Sequence, residues 1–434
     1  MPYNPANELF NQLMKPYNLN LDHSGIKGER IAARLFEQSK IGFTKDGGVK
    51  RPGFSEEEKQ AKQLVKTWMR EAGLKVREDG AGNVIGRLSG VSDDLPAVAS
   101  GSHVDSVPNG GHFDGPVGVL SALEVAESWK ETNYQPKKPY EIIVFTDEEG
   151  SRFNSGLTGS MAMTGSGGLS AKSQLNDYNG DSFEKVLHNY GSSLEEFKKA
   201  KRDMKELEMF VEVHIEQGKK LEQDELPVGI VSGIAGPAWL EITFTGEAGH
   251  AGNTPMIGRK DPLTAAGAFL QKVEEFPGQV SETAVATIGK LNVSPNGINV
   301  IPQQVTLNVD IRDIHEETRD RLLKLITQEA EQIAEKRGIG IDMKQTTKIQ
   351  PIPIKEELQN KLAASISKHD LQPSYIPSGA GHDAMMLGRE IPVAMLFVRS
   401  KDGISHNPKE WSSLSDIVTT VHVLKEFIEG VMDE

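Results

Sequence analysis

The segment Tyr140-Glu-Ile-Ile-Val-Phe-Thr-Asp147-Glu148-Glu149-Gly150 decides the reading of this chain. Its first half is an apolar run that predicts a buried strand over Tyr140–Thr146. Its second half is three acids. An acidic triplet is usually a solvated turn. These acids stand at the carboxyl end of a buried strand, where open α/β sheets form their ligand crevice. Adjacent carboxylates there repel one another unless a cation lies between them. One can then ligate metal while another serves as general base.

Further apolar runs at Asn83–Arg87, Leu95–Ser100 and Met209–Ile215, with a helical pattern over Val117–Trp129, surround this segment. Strands alternating with helices predict an α/β fold, a mixed and mostly parallel sheet flanked by helices. Residues 1–50 read as a helical preamble with a glycine turn at Gly47–Gly48. A helix then starts at a capping box, Ser55 with Glu58. It carries an apolar stripe through Ala61, Leu64, Val65, Trp68 and Met69 and ends at Gly73.

Near Val228 the pattern changes. A strand (Trp239–Thr245), a helix (Pro262–Phe276), two strands (Thr283–Val293 and Val305–Arg312), a long helix (Glu316–Arg337) and a strand (Gly340–Thr346) make a compact α+β unit. After Pro351 the apolar runs ending in polar clusters return, notably Val393–Arg399. The second unit is therefore read as an insertion. Residues 1–227 and 350–434 form the main domain, and 228–349 form the inserted one.

A chain of 434 residues suits two domains. Its formal charge of −14 disfavours nucleic acid and anionic membranes as partners. No apolar stretch approaches a transmembrane span, and the first twenty or so residues lack the order of a signal peptide. There are no cysteines, so thiol catalysis is excluded and any metal must be held by His, Asp and Glu. A cytoplasmic enzyme fits these features.

Other clusters begin where apolar runs end. Gly101-Ser-His103-Val-Asp105 leads into Gly110-Gly-His-Phe-Asp114-Gly. His103 and Asp105 alternate on a strand end and can share a face, and a ligating histidine needs a partner for its second nitrogen. Asp114 sits among glycines and has two oxygens with which to bridge cations. A surface loop explains this cluster equally well by itself. Val213-His214-Ile-Glu216-Gln217-Gly218 ends another run; alone, His214 reads first as a satisfied core histidine. Gly249-His250-Ala-Gly, Asn296-Gly-Ile-Asn299 and Asp310-Ile-Arg312-Asp313 lie in the inserted unit. Turn and salt-bridge roles suit them as well as any other, although a guanidinium such as Arg312 can grip a carboxylate bidentately. Gly381-His382-Asp383 and Ser405-His406-Asn-Pro complete the set. Five of the 11 histidines fall in Gly- or acid-flanked clusters at such places, and this coincidence, more than any single motif, points to metal. Imidazole and carboxylate without thiolate suit zinc first, then manganese, cobalt or nickel.

In this order the clusters resemble the di-zinc aminoacylase and carboxypeptidase-like metallohydrolase superfamily, over about residues 28–425. Within it they resemble the branch of N-carbamoyl-L-amino acid hydrolases, β-ureidopropionases and allantoate amidohydrolases. His214, where peptidase relatives usually carry an acid, and the string His214-Ile-Glu-Gln-Gly218 select that branch. Thr146-Asp-Glu-Glu-Gly150, Gly297-Ile-Asn299-Val-Ile-Pro302 and Phe397-Val-Arg-Ser-Lys-Asp-Gly403 look more like the carbamoylases than the allantoate enzymes.

The resemblance implies two divalent cations per subunit. His103 and His214 would hold the first, Glu149 and His406 the second, and Asp114 would bridge them. Glu148 would be the general base and Asp105 the partner of His103. His250, Asn299 and Arg312 would bind substrate from the inserted unit, His250 also as an oxyanion donor, with Gln217 and His382 facing the substrate. The expected reaction is hydrolysis of an N-carbamoyl-L-amino acid by metal-activated water, giving amino acid, CO₂ and ammonia. The inserted unit would act as a lid that closes during turnover and as a homodimer interface. Allantoate hydrolysis is the alternative; a dipeptidase, an aminoacylase and an inactive binding homologue rank below it, the last opposed by the intact Glu148 and ligand set.

Overall fold

The computed structural model describes residues 5–166 and 168–434, so residues 1–4 of the preamble lie outside the described residues. Two compact units are present. The first comprises Met1–Val231, Ile354–Ile376 and His382–Glu434; the second comprises Ser232–Pro353 and Pro377–Gly381.

The first unit is built on a mixed sheet. Its strands lie in the order Lys75–Glu78, Val84–Leu88, Tyr140–Phe145, Ala97–His103, Leu207–Ile215, Val393–Val398, and then the strand that begins at Val228. The four strands from Tyr140–Phe145 to Val393–Val398 run parallel, and both flanks are antiparallel. Ala97–His103, Tyr140–Phe145 and Val393–Val398 are buried along their whole length, as an unbroken apolar run covered on both faces requires. The helix Pro116–Thr132 is buried through its first fourteen residues and packs between the sheet and the helices Gly28–Ser39 and Leu414–Met432.

Two differences from the sequence reading have clear causes. The strand Lys75–Glu78 escapes notice because it is a short, mostly charged edge, the form in which edges resist pairing with other chains. In the helix Glu56–Glu71, Ser55 Oγ accepts the Glu58 N–H as a cap should. The Glu58 carboxylate, however, reaches the N–H of Phe54 at 2.6 Å rather than that of Ser55. It is turned inward by Lys62, whose Nζ lies 2.7 Å away, with both side chains essentially inaccessible. Removing one member of such a buried pair costs about 3–5 kcal/mol. The helix ends as expected at Gly73, with the Gly73 N–H on the Arg70 carbonyl and the Leu74 N–H on the Met69 carbonyl.

The second unit is a four-stranded antiparallel sheet in the order Gly340–Lys348, Ala238–Thr245, Gln304–Arg312, Val285–Ser294. Its strands alternate buried and accessible residues. Leu240, Ile242, Phe244, Val305, Leu307 and Val309 form one core with Phe269 and Val273 of the helix Pro262–Glu275 and Leu322 and Ile326 of the helix Glu316–Arg337. One sheet carrying two helices matches the pattern read from the sequence.

Candidate active site

The polar clusters of the first unit meet at the carboxyl ends of its four parallel strands. His103 closes one strand, Glu148 and Glu149 follow the next, His214 lies near the end of the third, and the segment after Val398 leads to His406. Gly115, at φ +81°, caps the helix Pro116–Thr132 against the His103 ring, and a Cβ there would overlap the imidazole. Asp114, the residue before Gly115, is thereby set beside the His103 ring.

Five residues form two overlapping triads, His103–Asp114–His214 and Asp114–Glu149–His406, with the potential ligand atoms of each within 4.8 Å of one another. Asp114 belongs to both. Its Oδ1 lies 3.1 Å from His214 Nε2 and 3.6 Å from His103 Nε2. Its Oδ2 lies 3.6 Å from His406 Nε2, which is 3.3 Å from Glu149 Oε2.

Tautomers make the chemistry more specific. His103 Nδ1 faces the Asp105 carbonyl at 3.2 Å, and His214 Nδ1 faces the Ile215 carbonyl at 2.9 Å. A carbonyl only accepts, so each Nδ1 carries a proton and each neutral ring turns an Nε2 lone pair into the cluster. His103 Nε2 is buried with no hydrogen-bond partner among the described residues. Lone pairs facing carboxylate oxygens require a cation or protons between them. The donor set is imidazole and carboxylate, so the residues fit divalent metal.

The electrostatics agree. Burial would push His103 down, but Glu148, Asp105 and Asp114 outweigh it and hold the ring well above its usual range. Burial would raise Asp114, but His214 and His103 hold it well below. Burial pushes the Glu148 carboxyl well up; His103 opposes this, while Glu149, Asp383 and Asp105 reinforce it. Glu149 is raised by burial and by Asp114. A cluster that binds protons this strongly is one that cations can occupy in their place.

Several supporting residues were invisible in sequence. Arg51, fully buried, donates from Nε to the Val104 carbonyl at 2.7 Å. Glu58 Oε1 accepts the Asp147 N–H at 3.3 Å, which ties the acidic loop to the helix beneath it. Glu212 accepts from Ser102 Oγ at 2.8 Å and from the Ala384 N–H at 2.9 Å, which joins two strands to the His382 loop. Glu410 accepts the N–H groups of Phe113 and Asp114 at 2.8 and 3.0 Å. A sequence signal exists only for Glu410, an acid four residues beyond His406.

Of the residues expected to face substrate, Gln217 donates from Nε2 to Asp114 Oδ2 at 2.7 Å. The His382 ring lies 4.5 Å from that of His214, and burial together with His214 keeps it neutral at ordinary pH. Within the second unit, His250 pairs with Val300 on a two-residue ladder, and the Asn299 carbonyl accepts the Ala251 N–H. His250 Nδ1 accepts from the N–H groups of Gly252 and Asn253, each at 3.1 Å. Its neutral ring therefore carries the proton on Nε2. Arg312 is engaged on Asp310 by Nε at 3.0 Å and Nη2 at 2.8 Å, while Nη1 donates to the Gly379 carbonyl at 2.6 Å.

Known proteins resemble this chain over most of its length. The profile of peptidase family M20/M25/M40 matches residues 99–430. An N-carbamoyl-L-amino acid amidohydrolase of Geobacillus stearothermophilus is 42% identical over 399 residues, 92% of this chain and 97% of that protein. An allantoate amidohydrolase of Bacillus subtilis strain 168 is 36% identical over 390 residues, 90% of this chain and 94% of that protein. The crystal structure of an amidase of the hydantoinase/carbamoylase family from Burkholderia multivorans matches with a TM-score of 0.88 at 33% identity, covering 94% of this chain and 99% of that one.

Proposed function

The chain belongs to peptidase family M20/M25/M40 and is a hydrolase of C–N amide bonds, and on that premise we propose that it hydrolyses N-carbamoyl-L-amino acids. The observation that carries the proposal is Asp114 shared between two triads, with Glu148 beside them and in neither. His103, His214, Asp114, Glu149 and His406 would hold two divalent cations. Bound there, these ions, zinc by donor type and manganese, cobalt or nickel as alternatives, would lower the pKa of water and polarise the ureido carbonyl.

Glu148 takes the proton of the attacking water and returns it to the leaving nitrogen as the C–N bond breaks. A carboxyl raised by burial can hold that proton between the two steps. The amino acid leaves with the proton, and the carbamate decays to CO₂ and ammonia. His250 offers Nε2–H to the tetrahedral oxyanion. Arg312 and Asn299 take the substrate carboxylate, with Gln217 and His382 lining the ureido end. A homodimer through the second unit suits the edge strand Val285–Ser294, which among the described residues pairs on one side only.

The test is ammonia release from N-carbamoyl-L-methionine by the purified protein, after EDTA treatment and re-addition of Zn²⁺, Mn²⁺ or Co²⁺. Metal-dependent release is expected. Similarity to an allantoate amidohydrolase makes allantoate the second substrate to try. Release from allantoate alone would replace the carbamoylase reading.

A further inference from the structure

Glu410 belongs to neither triad, yet it is almost wholly buried at 2% exposure beside the residue that belongs to both. Its Oε1 accepts two successive main-chain amides, those of Phe113 at 2.8 Å and Asp114 at 3.0 Å. Gly111 makes room for it, because a Cβ at that position would overlap the Glu410 carboxyl group. Its Oε2 faces Ser405 Oγ at 3.1 Å, and the same hydroxyl lies 2.6 Å from Asp114 Oδ2. Trp411 packs edge-on against Phe113 at 5.4 Å between ring centroids. The segment that supplies His406 therefore also grips the two main-chain amides that flank the Phe113 Cα.

A serine hydroxyl has one proton and here has two carboxylate acceptors. When Asp114 Oδ2 carries full charge without a cation, the proton belongs on Asp114, where Gln217 Nε2 also donates at 2.7 Å. When a cation claims Oδ2, a donor still pointed at it opposes binding. Glu410 is the other acceptor. The hydroxyl can turn to it and leave no buried donor unsatisfied.

Building on the metal reading above, we propose that Glu410 is a positioning residue for the bridging carboxylate. It orients Asp114 through the main chain and accepts the Ser405 proton when cations bind. Glu410→Gln isolates the second role. Glutamine can still accept the two amides through its carbonyl oxygen, but its NH₂ meets Ser405 Oγ and locks the hydroxyl proton onto Asp114.

The test titrates Co²⁺ into metal-free protein, read by calorimetry and by the visible absorption of bound cobalt, with melting temperatures measured alongside. Glu410→Gln is expected to melt near the wild type and to bind Co²⁺ about 10- to 100-fold more weakly, the range for residues that orient metal ligands. Removing the locked proton with Ser405→Ala in the Glu410→Gln background is expected to restore most of that affinity, which a merely structural defect would not allow. If Glu410→Gln does not fold, Gly111→Ala, which crowds Glu410 off the amides, is read in the same way. A variant with the wild-type isotherm and spectrum overturns the positioning role. A wild type that takes up no Co²⁺ overturns the metal reading beneath it.

Discussion

Asp105 holds Glu148 by its main chain: Asp105 Oδ1 accepts the Glu148 N–H at 3.1 Å. Asp105 Oδ2 accepts the next amide, that of Glu149, at the same distance. Its Oδ1 also lies 3.4 Å from His103 Nδ1. One carboxylate thus aims the proposed base, a proposed ligand of the second cation and a histidine of the first. In Asp105→Asn, one oxygen becomes an NH₂ that cannot accept either amide. We expect kcat to fall about 10- to 100-fold with KM little changed, as for other residues that orient a metal site. Steady-state kinetics on metal-loaded protein checks this, and an unchanged kcat would remove Asp105 from the positioning set.

Glu148 belongs to neither triad, although its Oε2 comes within 3.7 Å of His103 Nε2. Replacement by glutamine keeps the shape and removes the capacity to carry a proton. Turnover is expected to drop by about 10²- to 10⁴-fold, the usual contribution of a positioned base. Metal content, measured by mass spectrometry on the same sample, is expected to stay at the wild-type level. Lost metal would make Glu148 a ligand instead.

How much of this could be read in advance follows from sequence distance. His103, Glu149 and His214 stand out because each lies at or beside the end of an apolar run, so the strand pattern and the polar pattern identify them together. Asp105 beside His103 is legible for the same reason. Glu410 is marked only as an acid four residues beyond His406; its contact with Phe113, 297 positions away, has no local sign. Glu58 reads as the second half of a capping box, and nothing local marks its burial with Lys62 on the face under Asp147 and Thr146. The engagement of Arg312 with Asp310 was within reach, because residues two apart on a strand share a face.

The preamble supplies a pH prediction. His422 on the helix Leu414–Met432 shares its Nε2 with the Leu21 carbonyl at 2.8 Å, and its ring stacks on His23 at 4.0 Å, with His369 at 5.7 Å. Burial lowers its pKa to about 4; the Leu21 carbonyl opposes this, and His23, His369 and Lys425 add to it. The folded value lies below the ordinary 6.5, so the neutral ring is the form that favours folding. Its contribution is present above pH 6.5 and is lost as the pH falls from there towards about 4. His422→Gln keeps a donor for Leu21 and cannot titrate. Urea melts at pH 7 and pH 5 are expected to show a smaller acid-induced loss in the variant, by about 1–2 kcal/mol. An equal loss in both proteins would place the acid sensitivity elsewhere.

Arg312 and Asp310 offer the sharpest check on substrate recognition. If Arg312 receives the substrate carboxylate, Asp310 is its competitor, since it already fills two positions of the guanidinium fork. The pair is about a third exposed, so solvent screens it and it is worth roughly 0.2–1 kcal/mol. Asp310→Asn removes the competing charge while keeping an oxygen that can accept from the arginine. KM for an N-carbamoyl amino acid is expected to fall by up to about fivefold, which is what 1 kcal/mol amounts to, with kcat nearly unchanged. Arg312→Lys is expected to move KM the other way, because an ammonium cannot reproduce the fork. Opposite shifts in the two variants would identify Arg312 as the carboxylate receptor. A KM that rises in Asp310→Asn would mean that Asp310 holds the arginine in its working position, and the pair would then count as one recognition element.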